Sequence, residues 1–175
     1  MVQSVELLAD APIDDWIWTQ WRALEAVGLP SQVRHGSLTN WPHVTLAVAD
    51  AIPAAIDAEL SALVAPALPM EMRVGGVIWF PGRRHVVARA IIASDPLLRL
   101  HASIAAALDG LAGRGARMGP GAWTPHITLA RGVRTEQLPD VMAALAAVDQ
   151  VADERAGVFT VCRRWDSDAK ATWEL

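Results

Sequence analysis

Apolar and polar residues follow two periodicities along this chain, and each periodicity predicts a different element. Near the start, Val5 and Leu7 flank Glu6, which predicts a strand because successive strand side chains point to opposite faces. Elsewhere apolar residues recur every three or four positions, which predicts amphipathic helices. These patterns predict strands over residues 3–9, 43–49, 70–80, 85–92, 125–131, 157–165 and 170–175, and helices over residues 10–27, 52–65, 94–111 and 135–148.

The order of these elements predicts an α+β fold. The Pro-Gly-Arg-Arg segment at 81–84 is a turn sequence, which predicts that its two neighbouring strands form a hairpin. Strands and helices therefore do not alternate regularly, and this favours antiparallel pairing over a doubly wound parallel sheet. A chain of 175 residues suits one core, so we expect residues 1–175 to form a single domain.

Two predicted strands begin with nearly the same tetrapeptide, His-Val-Thr-Leu at 43–46 and His-Ile-Thr-Leu at 126–129. In a strand, residues two positions apart share a face, so each copy presents one imidazole and one hydroxyl on the same surface. The copies lie about half a chain apart, as a duplication into two lobes around a shared cleft would place them. Two imidazoles facing one cleft could move two protons across a single substrate.

The amino-acid composition limits which ligands the protein can bind and predicts its cellular location. The chain is 53% hydrophobic and 19% charged, which is typical of a globular protein. Its net charge of −4 argues against an extended nucleic-acid surface but permits a small phosphorylated ligand. No apolar run is long enough to span a membrane. The N-terminus has no signal-like segment and Cys162 is the single cysteine, so we expect a cytoplasmic protein.

The remaining histidines and the cysteine predict no metal centre. A catalytic zinc site needs three protein ligands, and no His-Glu-x-x-His or Cys-x-x-Cys arrangement occurs. We therefore expect neither a metal nor another cofactor. Cys162 is interpreted as a core strand residue, His35 and His85 as surface residues, and His101 as a packing residue of its helix.

Aromatic residues near the two motifs are candidates for lining the cleft. Trp41 and Trp123 each precede a motif histidine by two or three positions, and we predict that both line the site. Phe80 ends a predicted strand and could stack on a nucleobase. Packing alone would explain most of the 8 tryptophans in the chain.

The two motifs in their context resemble a known family. Segments 42–46 and 123–131 resemble the signature motifs of the 2H phosphoesterase superfamily, in particular its 2′-5′ RNA ligase-like, 2′,3′-cyclic phosphodiesterase branch. Segments 74–81 and 159–175 are similar to the layout of that family, so the resemblance covers nearly the full length. It implies two pseudo-symmetric lobes with antiparallel sheets flanking a central cleft and helices on the outside. It also implies metal-independent cleavage of a cyclic or 2′-5′ phosphodiester.

The resemblance also implies roles for individual residues. His43 and His126 would transfer protons, Thr45 and Thr128 would hold phosphate oxygens, and Arg131 would contact the phosphate. The chain departs from the family at two places. Residues 47–49 lack the aromatic residue that often follows the first motif, and Cys-Arg-Arg-Trp at 162–165 stands where a serine is often seen.

The resulting hypothesis is a monomeric hydrolase of RNA processing that acts on a small nucleotide or an RNA terminus. Opening a 2′,3′-cyclic phosphate needs a base for the water and an acid for the departing oxygen, and we assign His126 as base and His43 as acid. The reverse assignment would serve ligation. A non-catalytic binding module for nucleotides or RNA ends, and a phosphodiesterase for a non-RNA metabolite, remain as alternatives. Retention of both His-x-Thr pairs favours turnover, because a binder needs no proton carriers.

Overall fold

The computed structural model describes residues 2–34, 39–111, 113, 118–149 and 155–175. Within these residues the predicted elements are present, with ends shifted by a few positions. His35 and part of the predicted loop at 113–121 lie outside the described residues. The strands are β1 Gln3–Ala9, β2 Val44–Ala49, β3 Met70–Phe80, β4 His85–Ile91, β5 His126–Val133, β6 Arg155–Asp166 and β7 Ala171–Glu174, and the helices are α1 Ala11–Ala26, α2 Asp57–Val64, α3 Asp95–Ala107 and α4 Leu138–Val148.

The strands form an antiparallel sheet in the order β1-β2-β5-β4-β3-β6-β7, in which β1 also pairs with β6. Six strands therefore form a closed hydrogen-bonded circuit, and β7 pairs with one end of β6. At the junction of the two His-x-Thr strands, only Val44 and Ile127 are in register. On the other side of the circuit, β3 pairs with β6 from Met70 to Val74. The predicted α+β fold with antiparallel strands is confirmed.

The two motif strands bury the residues that alternate with His and Thr. Val44, Leu46, Ile127 and Leu129 are at most 1% exposed, so the predicted burial of these residues in the core is confirmed. Helix α1 packs against α4, and α2 packs against α3. The apolar stripe of α1 enters the core through Ile13, Ile17, Trp21 and Leu24.

Sequence signals for helix starts and turns correspond to the structure. Helix α3 begins after Ser94, whose hydroxyl accepts a hydrogen bond from the backbone N–H of Leu97 at 3.4 Å. Strands β3 and β4 form the predicted hairpin around residues 81–84. Among the described residues, no helix combines the length and apolar character required to cross a membrane.

The position of Cys162 predicts an unreactive thiol. Cys162 is 2% exposed on β6, and burial raises its pKa to about 12, with the nearby Glu6 carboxylate adding to the effect. Because the thiolate is the reactive species, we expect no modification by a thiol reagent at neutral pH until the protein is unfolded. Titration with a chromogenic disulfide tests this expectation, and rapid labelling of the folded protein would contradict the burial of Cys162.

Candidate active site

Both motif histidines are oriented by the same hydrogen bond. His43 Nδ1 lies 2.6 Å from the carbonyl oxygen of Trp41, and His126 Nδ1 lies 2.7 Å from that of Thr124. A carbonyl oxygen can only accept, so Nδ1 carries the proton and donates. In a neutral ring this leaves Nε2 as the basic nitrogen in both histidines. A proline separates each histidine from its acceptor and favours an extended conformation of the accepting residue.

Strand β2 contains a β-bulge directly after its motif threonine. Val5 of β1 pairs with Ala47 of β2. The next residue, Glu6, pairs with Thr45, so Leu46 is an extra residue on β2. Side chains of directly paired residues share a face, which places Glu6 beside Thr45 on the site face of the sheet.

Strand β5 contains a bulge at the equivalent position. Ala88 and Val86 of β4 pair with Thr128 and Arg131, so three steps along β5 match two steps along β4. Val87 pairs with Ala130, so Leu129 is the extra residue on β5. Strict alternation would place Arg131 on the core face, because it lies an odd number of residues after the motif histidine. The bulge reverses the alternation and places Arg131 on the site face.

Two tryptophans bind the backbone of the motif threonines. Trp123 Nε1 donates to the carbonyl of Thr45 at 3.1 Å, and Trp21 Nε1 of α1 donates to the carbonyl of Thr128 at 3.0 Å. The Trp123 ring stacks on the buried ring of His101 with centroids 4.0 Å apart. The predicted packing role of His101 is therefore confirmed. Trp123 thereby connects the segment that precedes β5 with strand β2, which carries the first motif.

The Trp41 side chain contacts helix α1. Its ring packs edge-on against Trp18 of α1, with centroids 5.9 Å apart, and it is 45% exposed. Burial raises the pKa of the nearby Asp14 carboxyl to about 6, and the side chains of Trp18 and Trp41 oppose this shift. Trp41 contributes to the motif through its backbone, because its carbonyl oxygen accepts the hydrogen bond from His43 Nδ1 and orients the ring.

A buried ion pair lies beside His43. Glu6 is 3% exposed, and its carboxylate accepts hydrogen bonds from Arg163 Nε at 2.9 Å and from the Ser4 hydroxyl at 2.6 Å. Its Oε1 atom lies 3.6 Å from Nε2 of His43. Arg163 also donates to the carbonyl of Thr39, and it thereby connects β6 to the segment before the first motif.

Glu6 and Arg163 were not among the predicted site residues. The signal that could have found Glu6 is an acidic residue directly between two apolar strand residues, Val5 and Leu7. No equivalent signal marks Arg163, because its partner lies 157 residues away. Cross-strand pairing brings the two together in the structure.

His126 is surrounded by features that favour its neutral form. Burial lowers the pKa of His126, and the positive charges of Arg131 and His43 lower it further. The hydrogen bond to the carbonyl of Thr124 opposes this shift. The Phe80 ring lies next to the imidazole, with centroids 4.6 Å apart. His126 is therefore poised to accept a proton at neutral pH.

Two cavities open on either side of Arg131. The His43 cavity has a volume of about 310 Å³ and most of the residues in its lining are polar or charged, whereas the His126 cavity has a volume of about 400 Å³ and is rich in aromatic side chains. Arg131 lines both. The His43 cavity is lined by Val2, Glu6, Gln32, Thr39, Asn40, His43, Arg131, Arg163 and Trp165, and the His126 cavity by Phe80, Val86, Met118, Ala122, Trp123, Thr124, His126 and Arg131.

The structure thus brings most of the predicted site residues together. His126, Phe80, Trp123 and Arg131 line one cavity, and His43 lines the other. The two motif threonines differ in burial, because Thr45 is half-buried and Thr128 is 8% exposed. Among the described residues, no group of three or more His, Cys, Asp or Glu side chains could hold a metal ion.

Comparison with known proteins places this arrangement in context. Residues 10–164 match the model of the 2′-5′ RNA ligase superfamily. The structure is similar to that of TT0787 from Thermus thermophilus, with 18% sequence identity, a TM-score of 0.48, and coverage of 100% of this chain and 94% of that chain. It is also similar to Usb1 from Kluyveromyces marxianus, with 10% identity, a TM-score of 0.44, and coverage of 99% and 97%. No curated protein sequence matches the chain.

The surroundings of His126 predict its titration. We expect its imidazole to titrate below the ordinary value of about 6.5 in an NMR pH titration. Arg131→Ala removes a positive charge and should raise the pKa of His126 towards that value. Arg22→Ala, on an exposed part of α1, is the matched control and should cause no change. A midpoint for His126 at or above the ordinary value would contradict the described environment.

Proposed function

The chain belongs to the 2′-5′ RNA ligase superfamily, and on that premise we propose that it is a metal-independent phosphodiesterase. Its substrate is a 2′,3′-cyclic or 2′-5′ phosphodiester at an RNA end or in a nucleotide. The observation that carries the proposal is the matched pair of imidazoles. Each ring uses Nδ1 to bind a backbone carbonyl, and this leaves Nε2 to exchange a proton with a substrate near Arg131.

In hydrolysis of a 2′,3′-cyclic phosphate, His126 acts as the base and His43 as the acid. Nε2 of His126 takes a proton from water as the water oxygen forms a bond to phosphorus. Nε2 of His43 gives its proton to the ribose oxygen as the bond from that oxygen to phosphorus breaks. The lowered pKa of His126 supports its assignment as the base.

Glu6 supports the assignment of His43 as the acid. Its carboxylate lies 3.6 Å from Nε2 of His43, where it can pair with the proton-bearing ring. Arg163 donates to Oε2 of this carboxylate and Ser4 donates to Oε1, so Glu6 is a positioning residue rather than a proton carrier in this scheme. Among the described residues, no carboxylate forms a comparable ion pair with His126.

Arg131 is the group best placed to bind the reacting phosphate. It lies between the cavities that contain the two histidines, and its guanidinium can bind two phosphate oxygens at once. Fixed positive charge stabilises the charge that develops on the phosphoryl oxygens in the transition state. In this proposal the hydroxyls of Thr45 and Thr128, on the same face, contribute further hydrogen bonds.

The proposal predicts turnover of 2′,3′-cyclic nucleoside monophosphates in the presence of EDTA. His43→Ala and His126→Ala should each lower kcat/KM by about 10²- to 10⁴-fold, because each removes a general acid or base. His85→Ala is the matched control, since His85 is hydrogen-bonded to Thr135 and lines neither cavity. Separation of 2′- from 3′-phosphate products identifies the ribose oxygen that leaves.

Other outcomes of this assay would favour the alternatives. Full activity of either histidine variant would remove that residue from the mechanism. Loss of activity in EDTA with recovery on addition of a metal would contradict the metal-independent scheme. Binding of nucleotides without turnover would favour a binding module, and turnover of a non-RNA cyclic phosphodiester alone would favour a metabolite phosphodiesterase.

The role of Glu6 predicts a separate effect on kcat. Glu6→Gln keeps the size of the side chain but removes its charge, so we expect kcat to fall by about tenfold with little change in KM. Glu6→Asp keeps the charge and should retain more activity than Glu6→Gln. Steady-state kinetics of both variants, with unfolding curves to verify that each is folded, test this. Equal activity of a folded Glu6→Gln variant and wild type would show that Glu6 has no part in the reaction.

A further inference from the structure

We propose that three arginines next to the active site form a second phosphate-binding site, which takes a phosphate of the substrate other than the one that reacts. We call Arg83, Arg84 and Arg134 the outer arginine site. This inference rests on the proposed function, because it concerns a second contact to the same substrate. Its ligand is a phosphate one or more bonds removed from the reacting group, such as an adjacent phosphodiester of an oligonucleotide or the 5′-phosphate of a nucleotide.

The outer arginine site begins beside Arg131. Arg84 Nη1, in the turn between β3 and β4, donates to the carbonyl of Gly132 at 3.3 Å, and Gly132 directly follows Arg131. This contact brings the turn against the end of β5. Arg131 and Arg134 are three residues apart in the sequence, so the backbone between them spans at most about 11 Å. A surface cavity of about 330 Å³ lies here and is lined by Arg83, Arg84, Arg134, Thr135 and Glu136.

The outer arginine site is positively charged, whereas the whole chain carries a net negative charge. The protein carries a net charge of −4, yet the cavity has three arginine side chains and one carboxylate in its lining. That carboxylate, Glu136, is 79% exposed in its side chain and lies 3.7 Å from Arg134 Nε. An exposed ion pair of this kind has a small interaction free energy, so Glu136 holds Arg134 only weakly. Arg83 makes no ion pair with any described residue, so positive charge at the outer arginine site remains available to an anion.

Phosphate is the anion that this cluster suits best. The guanidinium is planar and presents paired N–H donors, so it matches two oxygens of a phosphate group. The hydroxyl of Thr135, which is held by His85 at 3.0 Å, adds a further polar group to the lining. In this proposal a substrate whose reacting phosphate lies at Arg131 places its second phosphate at the outer arginine site, which the contact of Arg84 with Gly132 joins to the end of β5.

Kinetics with matched substrates test the outer arginine site. The variants are Arg83→Ala, Arg134→Ala and the double variant, and Arg84 is left intact to keep its contact with Gly132. Arg99→Ala, an exposed arginine on α3, is the matched control. The substrates are a 2′,3′-cyclic nucleotide, the same nucleotide with a 5′-phosphate, and a short oligoribonucleotide that ends in a 2′,3′-cyclic phosphate.

We expect the double variant to lose about tenfold in kcat/KM on substrates that have a second phosphate, and to match wild type on the simple cyclic nucleotide. The substrate that shows the loss identifies the source of the second phosphate. An equal loss on all three substrates, or no loss on any, would overturn the proposal.

A binding measurement separates failure of this site from failure of the proposed function. The probe is a fluorescent oligoribonucleotide ending in a 3′-phosphate, and its affinity is measured by anisotropy at several salt concentrations. Loss of one phosphate contact should reduce the slope of log affinity against log salt by about 0.7. A reduced slope in the variants, without turnover of any substrate by wild type, would support the outer arginine site and contradict the phosphodiesterase. An unchanged slope would overturn the site even if wild type is an active phosphodiesterase.

Discussion

The hydrogen bond from each motif histidine to a backbone carbonyl is the constraint on which the site depends. It fixes the ring orientation and leaves the proton on Nδ1, so that Nε2 is the basic nitrogen of a neutral ring. The acceptor belongs to the residue before a proline in both copies, and proline limits the conformations of that residue. The Pro-His-x-Thr sequence occurs twice in the chain, and each copy orients its imidazole by the same hydrogen bond.

The bulges in β2 and β5 determine which side chains near the motifs point to the site face. They follow both motif threonines, and in β5 the bulge turns Arg131 from the core face to the site face. The indoles of Trp21 and Trp123 bind the threonine carbonyls next to these bulges. Because β2 and β5 are in register at a single residue pair, the indole of Trp123 is a second connection between the two motif strands.

The two histidines have similar backbones but different electrostatic surroundings. His43 faces the buried carboxylate of Glu6, whereas His126 faces the positive charge of Arg131. This difference is what a pair of groups with opposite proton-transfer roles requires, since one must hold a proton that the other must lack. The near-repeat in sequence therefore does not produce two equivalent groups.

Sequence periodicity was sufficient for the elements and for the site face of each motif. Alternation in β2 and β5 separates His and Thr from the buried Val, Ile and Leu, and this depends only on local geometry. Arg131 could not be placed by alternation, because Leu-Ala after each threonine gives no sign of a bulge. Gly132, with a φ of +80°, is a local signal of irregular backbone beside Arg131.

Long-range partners account for what the sequence did not predict. The pair between Glu6 and Arg163 joins the two ends of the chain through the pairing of β1 with β6. The contact of the Trp41 ring with Trp18 depends on where α1 packs. Both are consequences of tertiary structure, and neither leaves a periodic pattern in the sequence.

The most direct test of the two-histidine account is a crystal structure with a nucleoside vanadate, a trigonal bipyramidal analogue of the phosphoryl-transfer transition state. The account predicts Nε2 of His43 and Nε2 of His126 within hydrogen-bond distance of opposite apical oxygens. It also predicts that the Arg131 guanidinium contacts the equatorial oxygens. Vanadate bound away from Arg131, or in contact with only one of the two imidazoles, would contradict it.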